Sequence, residues 1–239
     1  MRKVSIHQPQ YIPWPAYFDK ILQSDIFVIL DDVQFQKNGL QNRNQIKTPQ
    51  GKAWLTLPVK HSFGQQINKV EIDNTKSKIK HLNSLKMNYS KASCFSDLYG
   101  IVSSVLDQQN NLISSISIEL IKKILSYLDY KGEIVLSSDF AIKSKNSDLI
   151  LDLCLAVDAE QYLSGSGGQD YLVKKDFEQA GIKVKFQQFH LPKYKQCFPK
   201  VGYISDLSIL DLLFNEGKNA RYIMQLAEQS YLDWDKLES

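Results

Sequence analysis

Two short apolar segments near the start of the chain each end in polar side chains that could do chemistry. Residues 4–6 are followed at once by His7, and residues 26–30 are followed by Asp31 and Asp32. A histidine in this position can act as a general acid or base, or can contact a phosphate. Carboxylates can bind Mg²⁺ together with a substrate phosphate, or accept a proton from an attacking amine. We therefore take His7, Asp31 and Asp32 as the candidate catalytic residues.

Each of these candidates has a plainer alternative. His7 can instead be a hydrogen-bonded residue that fixes the turn at Pro9. Successive residues of a strand point to opposite faces of a sheet, so only one of Asp31 and Asp32 is expected to face a ligand. The other aspartate would serve as a cap or pair with a neighbouring group. Which of the two faces the ligand stays open.

A further group of polar residues is suited to binding. Arginine recognises phosphate with two parallel hydrogen bonds, and asparagine suits sugar hydroxyls or the edge of a nucleobase. Residues 37–44 are predicted to form a polar, basic loop that binds substrate. The alternative is a loop whose polar groups contact only solvent. The candidate substrate-binding residues in this half of the chain are Gln8, Tyr11, Trp14, Gln34, Lys37, Asn42, Arg43 and Asn44. His61 is a second titratable candidate, whereas His81 and His190 are expected at the surface or in loops.

A glycine-rich loop in the second half of the chain is a candidate phosphate cradle. Its predicted contacts are Ser164, Gly165, Gly167 and Gly168, between a predicted strand and a predicted helix. Glycines let backbone N–H groups approach an anion, and a helix N-terminus adds partial positive charge. The loop has neither the Lys-Ser/Thr ending of a P-loop nor the dinucleotide fingerprint. A tight strand-to-helix turn with a serine cap is the alternative.

The elements that must position these residues alternate between strands and helices. Residues 4–30 predict a strand, an amphipathic helix and a second strand, and the continuous apolar run at 26–30 is typical of a parallel sheet buried on both faces. We therefore predict an α/β fold with a mostly parallel, Rossmann-like sheet flanked by helices. Ligands of such sheets bind beyond the carboxyl ends of the strands, so the polar groups are expected to share one crevice. Other strands are predicted near residues 54–59, 70–72, 134–136, 161–163 and 184–189. A helical tail is predicted over 208–234, with Asn215-Glu216-Gly217 closing its first helix.

The middle of the chain has helical periodicity from about residue 75 to residue 130. It predicts two or three helices that pack on the sheet as an insertion. No flexible linker flanks the block, and 239 residues can bury one sizeable core. A single α/β domain over residues 1–239 is therefore expected.

Composition narrows the classes of partner. The formal net charge is +3 and the lysines are scattered, which disfavours DNA binding and extensive tRNA contact, although a local lysine stripe can still provide the latter. No apolar run approaches the roughly 20 residues that span a bilayer, and Met1-Arg2-Lys3 leads directly into a strand, so no membrane span or signal peptide is expected. Three distant cysteines signal neither a disulfide framework nor a metal site, which indicates a reduced, cytoplasmic setting.

Long motifs in both halves of the chain resemble the WbqC-like family of bacterial proteins. In the first half they are HQPQYIPWPAYFDKI, DIFVILDDVQFQKNGLQNRNQIKT and WLTLPV. In the second half they are YLSGSGGQDYL, PKYKQ and SILDLLFNEG. One departure is Ala16, where the family pattern has glycine, and alanine is an easy replacement in a helix. The resemblance also makes Tyr171, Tyr194 and Gln196 candidate substrate-binding residues.

The resemblance implies a role in making bacterial surface polysaccharide, such as the O-antigen of lipopolysaccharide. The implied reaction is transfer of an acyl or aminoacyl group, such as glycine, to the amine of a nucleotide-linked amino sugar. Direct attack by the amine is expected, since the chain lacks a Ser-His-Asp order and a reactive-cysteine context. Gln8, Asn42 or Asn44 can donate to the developing oxyanion. The donor can be acyl-CoA, an aminoacyl-tRNA, or an amino acid activated by ATP with Mg²⁺.

Two other functions remain open at this point. One is nucleotidyl transfer or an ATP-dependent ligase reaction. The other is a non-enzymatic partner in polysaccharide assembly.

Overall fold

The computed structural model describes residues 1–234, with the backbone alone for residues 228–231. The last five residues of the predicted domain, 235–239, lie outside the described residues. The chain opens with strand β1 (Lys3–His7), helix α1 (Pro15–Leu22) and strand β2 (Ile26–Ile29). Proline fits the start of α1, where its missing N–H would have no partner in the helix. The predicted strand–helix–strand unit is confirmed.

The main sheet has six strands. Besides β1 and β2 it contains β7 (Glu133–Leu136), β8 (Gln161–Ser164), β9 (Lys183–His190) and β10 (Glu228–Leu232). Their order is β10-β9-β8-β1-β2-β7, and all neighbours are parallel except β9 and β10. The predicted mostly parallel, Rossmann-like sheet is therefore confirmed.

The order of the strands reverses beside β1. The chain runs outward through β2 to β7, then returns to the opposite side of β1 as β8 and continues to β9. Such a reversal is a topological switch point, where the connections diverge and leave a crevice at the carboxyl ends of the strands. We call the space beyond the ends of β1 and β8 the switch crevice.

Helices cover both faces of the sheet. On one face, α5 (Asn146–Ala156) and α6 (Lys174–Gln179) pack on alternate residues of β1 and β2. On the other face lie α1, α7 (Ile209–Glu216) and α8 (Asn219–Gln225), which share a second apolar cluster with the remaining side chains of β2. Burial on both faces accounts for the continuous apolar run in β2.

The middle of the chain extends this second cluster. Helices α2 (Lys76–Tyr89), α3 (Phe95–Leu106) and α4 (Ile113–Tyr127) occupy the region of the predicted insertion. Their apolar faces join the cluster that contains Phe27 and Ile29 of the sheet, so they share its core. Two antiparallel hairpins lie between β2 and α2. They consist of β3 (Arg43–Thr48) with β4 (Gly51–Thr56), and of β5 (Val59–Lys60) with β6 (Glu71–Ile72).

Three local predictions are wrong. Residues 43 and 44, at the C-terminal end of the predicted polar loop, belong to strand β3, because residues 43–48 pair with β4. The predicted helix over 208–234 ends early, because residues 228–232 pair with β9 as an edge strand. The helix expected directly after the glycine-rich loop begins only at Lys174, and residues 166–170 form a 3₁₀ turn. No helix within residues 1–234 is long and apolar enough to cross a membrane.

Candidate functional site

The loop between β1 and α1 is buried and carries backbone strain. Ile12 has a φ of 48°, a left-handed conformation that is a genuine outlier for a β-branched residue. The carbonyl of Ile12 accepts a hydrogen bond from Asn44 Nδ2 at 2.7 Å, and that of Pro13 accepts one from the Ile209 N–H at 2.7 Å. Such strain costs about 1–3 kcal/mol and persists only where surrounding contacts determine the conformation, as is common at ligand sites. This loop borders the switch crevice.

His7, the last residue of β1, is held neutral with one nitrogen available. Its Nδ1 lies 3.0 Å from the Gln8 carbonyl oxygen. Since a carbonyl only accepts, Nδ1 carries the proton and Nε2 carries the lone pair. The rings of Tyr17 and Trp14 pack edge-on at 4.8 and 6.1 Å. Burial and the nearby Lys20 ammonium lower the His7 pKa to about 3, against a smaller rise from the Gln8 hydrogen bond, so Nε2 is an acceptor throughout the physiological pH range.

Lys20 lies beside His7 and was not among the residues predicted for the site. It is 3% exposed, and its Nζ donates to the Ile6 carbonyl at 3.3 Å. Burial lowers its pKa to about 7, so the amine is about half unprotonated at neutral pH. The sequence signal that could have found it is a lysine next to Ile21 on the inner stripe of a short amphipathic helix that follows a buried strand.

Asp31 and Asp32 join the ends of β2 and β7. The Ser137 hydroxyl donates to Asp31 Oδ1 at 3.2 Å and also to Asp32 Oδ1. Ser138 adds its N–H and hydroxyl to Asp31 at 3.1 and 2.9 Å. The carboxylates meet at one hydroxyl instead of pointing to opposite faces, because β2 ends at Ile29 and strand alternation ends with it. Asp31 is buried by these donors, and Asp32 is the more open of the two.

Tyr11 is fully buried and bonded to a second buried histidine. Its hydroxyl lies 2.8 Å from His81 Nδ1, and His81 Nε2 lies 3.1 Å from the Thr56 carbonyl. Nε2 therefore donates and Nδ1 accepts from the tyrosine. Burial lowers the His81 pKa to about 4. The predicted surface position of His81 is wrong, because this face of α2 packs beneath the β1–α1 loop.

Gln8, Asn42 and Asn44 hold the surrounding loops. Gln41 Nε2 donates to Gln8 Oε1 at 2.8 Å, and Asn42 Nδ2 donates to the Leu57 carbonyl at 2.8 Å. Asn44 is buried on the Ile12 carbonyl, as described above. These amides position the crevice loops, and a role in contacting substrate stays a prediction for each.

Gln34, Lys37 and Arg43 lie on the outer side of the same region. Gln34 and Lys37 are exposed. The Arg43 guanidinium stacks 4.5 Å from the centre of the Trp54 ring, and its Nη2 donates to the Asn38 carbonyl at 2.5 Å. The structure thus places Arg43 on the β3–β4 hairpin and not in a loop.

The glycine-rich loop lies at the end of β8, across the switch crevice from β1. A Cβ on Gly168 would lie 2.0 Å from Ser164 Oγ, so packing requires glycine there. Cβ atoms on Gly165 or Gly167 would meet nothing within 4 Å. Since α6 does not begin at this loop, a helix dipole does not assist anion binding. What the loop offers is open backbone at Gly165 and Gly167. Tyr171 follows it and is half-exposed beside Tyr162.

Tyr194 and Gln196 belong to a different polar cluster. Both lie on the strap, the segment 191–208 between β9 and α7. Tyr194 OH donates to Asp211 Oδ1 at 2.7 Å, and Gln196 Oε1 accepts from Lys47 Nζ at 3.1 Å. Tyr89 OH donates to Asp211 Oδ2 at 2.7 Å. Burial raises the Asp211 pKa, against the opposing effect of the two tyrosine hydrogen bonds. We call these five residues the strap network.

The structure therefore brings together part of the predicted site. His7, the β1–α1 loop and the Ser164–Gly168 loop border the switch crevice, with Asp31 and Asp32 at the next strand end. Tyr194 and Gln196 instead lie on the strap and bond to Asp211 and Lys47 beneath it. Two surface cavities of about 410 and 430 Å³ lie away from the crevice, among α2, α3 and α4. Among residues 1–234 no group of three His, Cys, Asp or Glu side chains could hold a metal ion.

Comparison with known proteins settles the family. A model of the WbqC-like protein family matches residues 8–223. The chain belongs to this family. A Mycobacterium tuberculosis protein that carries the name "Uncharacterized protein Rv1507c" is 35% identical over 233 residues, which cover 96% of this chain and 100% of the relative. No solved structure matches the chain.

The WbqC-like segment contains polar groups that the sequence motifs did not single out. Lys20 has been described, and Lys47 is 1% exposed. Gln10 is 6% exposed, and its Oε1 has no hydrogen-bond partner among the described residues. All three lie inside the quoted motifs, but only the packed structure shows that their polar ends are buried.

Proposed function

We propose that this WbqC-like protein is a transferase that moves an acyl or aminoacyl group onto the amine of a nucleotide-linked amino sugar. The observation that carries the proposal is that a neutral His7 and the buried Lys20, whose Nζ donates to the Ile6 carbonyl next to His7, lie at the switch point of a Rossmann-like sheet. The switch point is where such sheets bind nucleotides. A lone-pair nitrogen and a half-unprotonated amine are the groups that a transfer to an ammonium requires.

In the proposed reaction the sugar amine attacks the carbonyl carbon of the donor. A carbon–nitrogen bond forms, the bond from that carbon to the donor sulfur or oxygen breaks, and the leaving group departs with the electron pair. His7 Nε2 accepts an amine N–H and orients the nitrogen lone pair. Lys20 is the stronger base of the two and receives the proton that the nitrogen loses. The open backbone at Gly165 and Gly167 receives the phosphates of the nucleotide.

The place of the reaction in metabolism follows from the family resemblance. It would modify a sugar for surface polysaccharide such as O-antigen, in the cytoplasm. The donor belongs to one of three classes, namely acyl-CoA, aminoacyl-tRNA, or an amino acid with ATP and Mg²⁺. Each donor leaves a different product, so the assay itself separates them.

The first test is calorimetric titration with UDP-glucosamine and, in parallel, with ATP and Mg²⁺. Saturable binding of UDP-glucosamine that ATP does not change supports the proposal. Binding of ATP alone would replace it with nucleotidyl transfer or ligase chemistry. Binding of neither would favour a non-enzymatic partner in assembly.

The second test is replacement of His7. His7→Ala should lower the rate of N-acylation of UDP-glucosamine, followed by mass spectrometry with each donor class, by about 10²- to 10⁴-fold. The variant should still fold, because the hydrogen bond that is lost goes to the adjacent Gln8 carbonyl and the other losses are the edge-on contacts with Trp14 and Tyr17. The thermal midpoint measures this loss. His190→Ala is the matched control, since His190 is exposed and is not a candidate for the site. Full activity in His7→Ala would end this assignment.

A further inference from the structure

Acidic residues are absent from two long segments of the chain. Residues 33–70 contain six lysines and arginines but no aspartate or glutamate, and residues 179–205 contain five lysines and again no acid. The whole chain has 29 basic and 26 acidic residues in 239, so acids are excluded from these segments while being common elsewhere. The small net charge therefore hides a strong separation of charge along the sequence.

The fold brings these two segments together. Lys47 of β3 donates from Nζ to Gln196 Oε1 at 3.1 Å and to the Gly202 carbonyl at 2.6 Å, so the strap crosses the hairpin at this point. Lys52 is the cross-strand partner of Lys47, and Lys200 lies two residues before Gly202. The exposed amines of Lys52 and Lys200 consequently lie at the same end of the hairpin.

An exposed aromatic ring lies on the same face of the hairpin. Opposed residues of an antiparallel pair project to one side, and the pairs Gln45 with Trp54 and Lys47 with Lys52 follow each other along it. Trp54 is 48% exposed, and the Arg43 guanidinium stacks 4.5 Å from its ring centre. A large exposed ring stacked on a planar cation, in segments that carry amines and contain no acid, has the composition of a base-stacking platform.

We propose that this surface binds a single-stranded nucleic acid. We name it the basic hairpin face and define it by Arg43, Lys52, Trp54, Lys195 and Lys200. A base stacks on Trp54, and the lysines contact the phosphates on either side of it. Lys195 belongs to the face because its neighbour Gln196 points inward to Lys47, which leaves Lys195 on the outer surface of the strap.

The chemistry of the face favours nucleic acid over other polyanions. Sulfated or phosphorylated polymers without bases would contact the amines alone, and Trp54 would add nothing. Asp206, just beyond the acid-free part of the strap, is an exposed carboxylate that marks one limit of the face. Asn44 of β3 binds the Ile12 carbonyl, so the hairpin also adjoins the loop that borders the switch crevice. This inference does not rest on the proposed function, but if both hold, the donor group arrives on a nucleic acid.

The test is fluorescence anisotropy of the full chain with a labelled single strand of about eight nucleotides, within the usual site size for such surfaces. RNA and DNA strands of one sequence are compared with each other and with the duplex. We expect saturable binding of a single strand that weakens as salt rises. Trp54→Ala should weaken it about 5- to 100-fold, the range expected for one stacked base. Trp54→Phe should retain most of the affinity.

The charges are tested by a triple replacement. Changing Lys52, Lys195 and Lys200 to glutamine should lower the magnitude of the slope of log affinity against log salt by about 2, since each phosphate contact on a single strand contributes about 0.7. The matched charge control replaces the exposed lysines Lys80, Lys91 and Lys131. Tyr222→Ala is the aromatic control, since Tyr222 is also exposed, on α8.

Three results would overturn the inference. The first is no saturable binding of either single strand at about 50 mM salt, where electrostatic binding is strong. The second is an equal loss in the control variants. The third is binding that Trp54→Ala leaves unchanged and that dextran sulfate reproduces, which would indicate a site for any polyanion. Titration of Trp54→Ala with UDP-glucosamine separates this outcome from failure of the proposed function, because the crevice residues are intact in that variant.

Discussion

Two buried lysines, Lys20 and Lys47, differ in the hydrogen-bond acceptors that surround their amines. Lys47 gives its protons to the Gln196 amide oxygen at 3.1 Å and to the Gly202 carbonyl at 2.6 Å, inside the strap network. Lys20 has one acceptor, the Ile6 carbonyl, at 3.3 Å. The neighbouring His7 is neutral. The pKa of Lys20 falls to about 7.

The difference separates a structural clamp from a reactive site. A buried charge is stable where neighbouring groups replace the hydration it loses, as around Lys47. Where they do not, burial lowers the pKa of the group, as for Lys20, and the unprotonated fraction can act as a base or a nucleophile. The β1 region has two further features of this kind, the strained Ile12 and the unpartnered Gln10 Oε1. We therefore expect replacements in the strap network to change stability first, and replacements at the β1 end to change activity first.

The largest effect on stability is expected in the strap network. Asp211→Ala removes the acceptor of Tyr89 OH and Tyr194 OH, and the carboxylate itself is 0% exposed. Leaving buried hydroxyls unpaired and losing charged hydrogen bonds should lower the free energy of unfolding by about 3–5 kcal/mol. Urea titration measures this value. Asp206→Asn is the control, because Asp206 is an exposed residue of the strap with a φ of 60° that asparagine also tolerates, and it should change the value by less than about 0.5 kcal/mol.

A small loss of stability in Asp211→Ala would contradict the proposed difference between the strap network and the β1 region. A loss below about 1 kcal/mol would mean that the strap network contributes no more than an ordinary pair of hydrogen bonds. The two polar regions would then not differ in the way proposed.

The second largest effect is expected in the pH dependence of the free energy of unfolding, to which Lys20 contributes. In the unfolded chain its pKa is 10.5, whereas in the folded chain it is about 7. Between these values the unfolded state binds more protons, so this group makes stability rise by about 1.4 kcal/mol for each pH unit. Lys20→Met removes the effect. The stability of this variant relative to wild type should therefore fall by about 2–3 kcal/mol between pH 7.5 and about pH 9.5.

A second apolar variant separates the proton effect from packing. Lys20→Leu changes the fit of the side chain by a different amount, but that amount does not depend on pH. Both variants should show the same slope against pH in urea titrations. Parallel curves for wild type and variants would mean that Lys20 keeps its proton when folded and is not a base at neutral pH.

The smallest effect is expected at Gln10. Gln10→Met keeps the volume of the side chain and removes a buried oxygen that has no partner among the described residues. Stability should stay level or rise by about 1 kcal/mol. Gln196→Met is the matched variant in the strap network, where it removes one of the two acceptors of Lys47 Nζ and the acceptor of the Ile204 N–H. It should lose about 1–3 kcal/mol. Equal losses of stability in Gln10→Met and Gln196→Met would mean that the two polar regions do not differ in this way.

The sequence by itself determined the local elements and the order in which they follow. An apolar run at 26–30, a turn at Pro9 and an amphipathic stripe between them are sufficient to predict β1, α1 and β2. They also place His7 and Asp31 at strand ends, because periodicity and proline geometry depend on neighbouring residues alone. The sequence motifs alone were sufficient to indicate the WbqC-like family. Local patterns did not reveal β3 or β10, because both strands are polar in part and exist through pairing with a partner strand.

Only the tertiary structure decided which polar groups are buried, and with what partners. Lys20, Lys47 and Gln10 look alike in the sequence as polar residues within motifs. In the structure the first lies beside a neutral histidine, the second donates to two acceptors, and the third has a side-chain oxygen with no partner among the described residues. The same holds for the two acid-free segments, which are about a hundred residues apart and meet where the strap crosses β3. A side chain's pKa and reactivity depend on desolvation and on contacts from distant parts of the chain, and these exist only once the chain has folded.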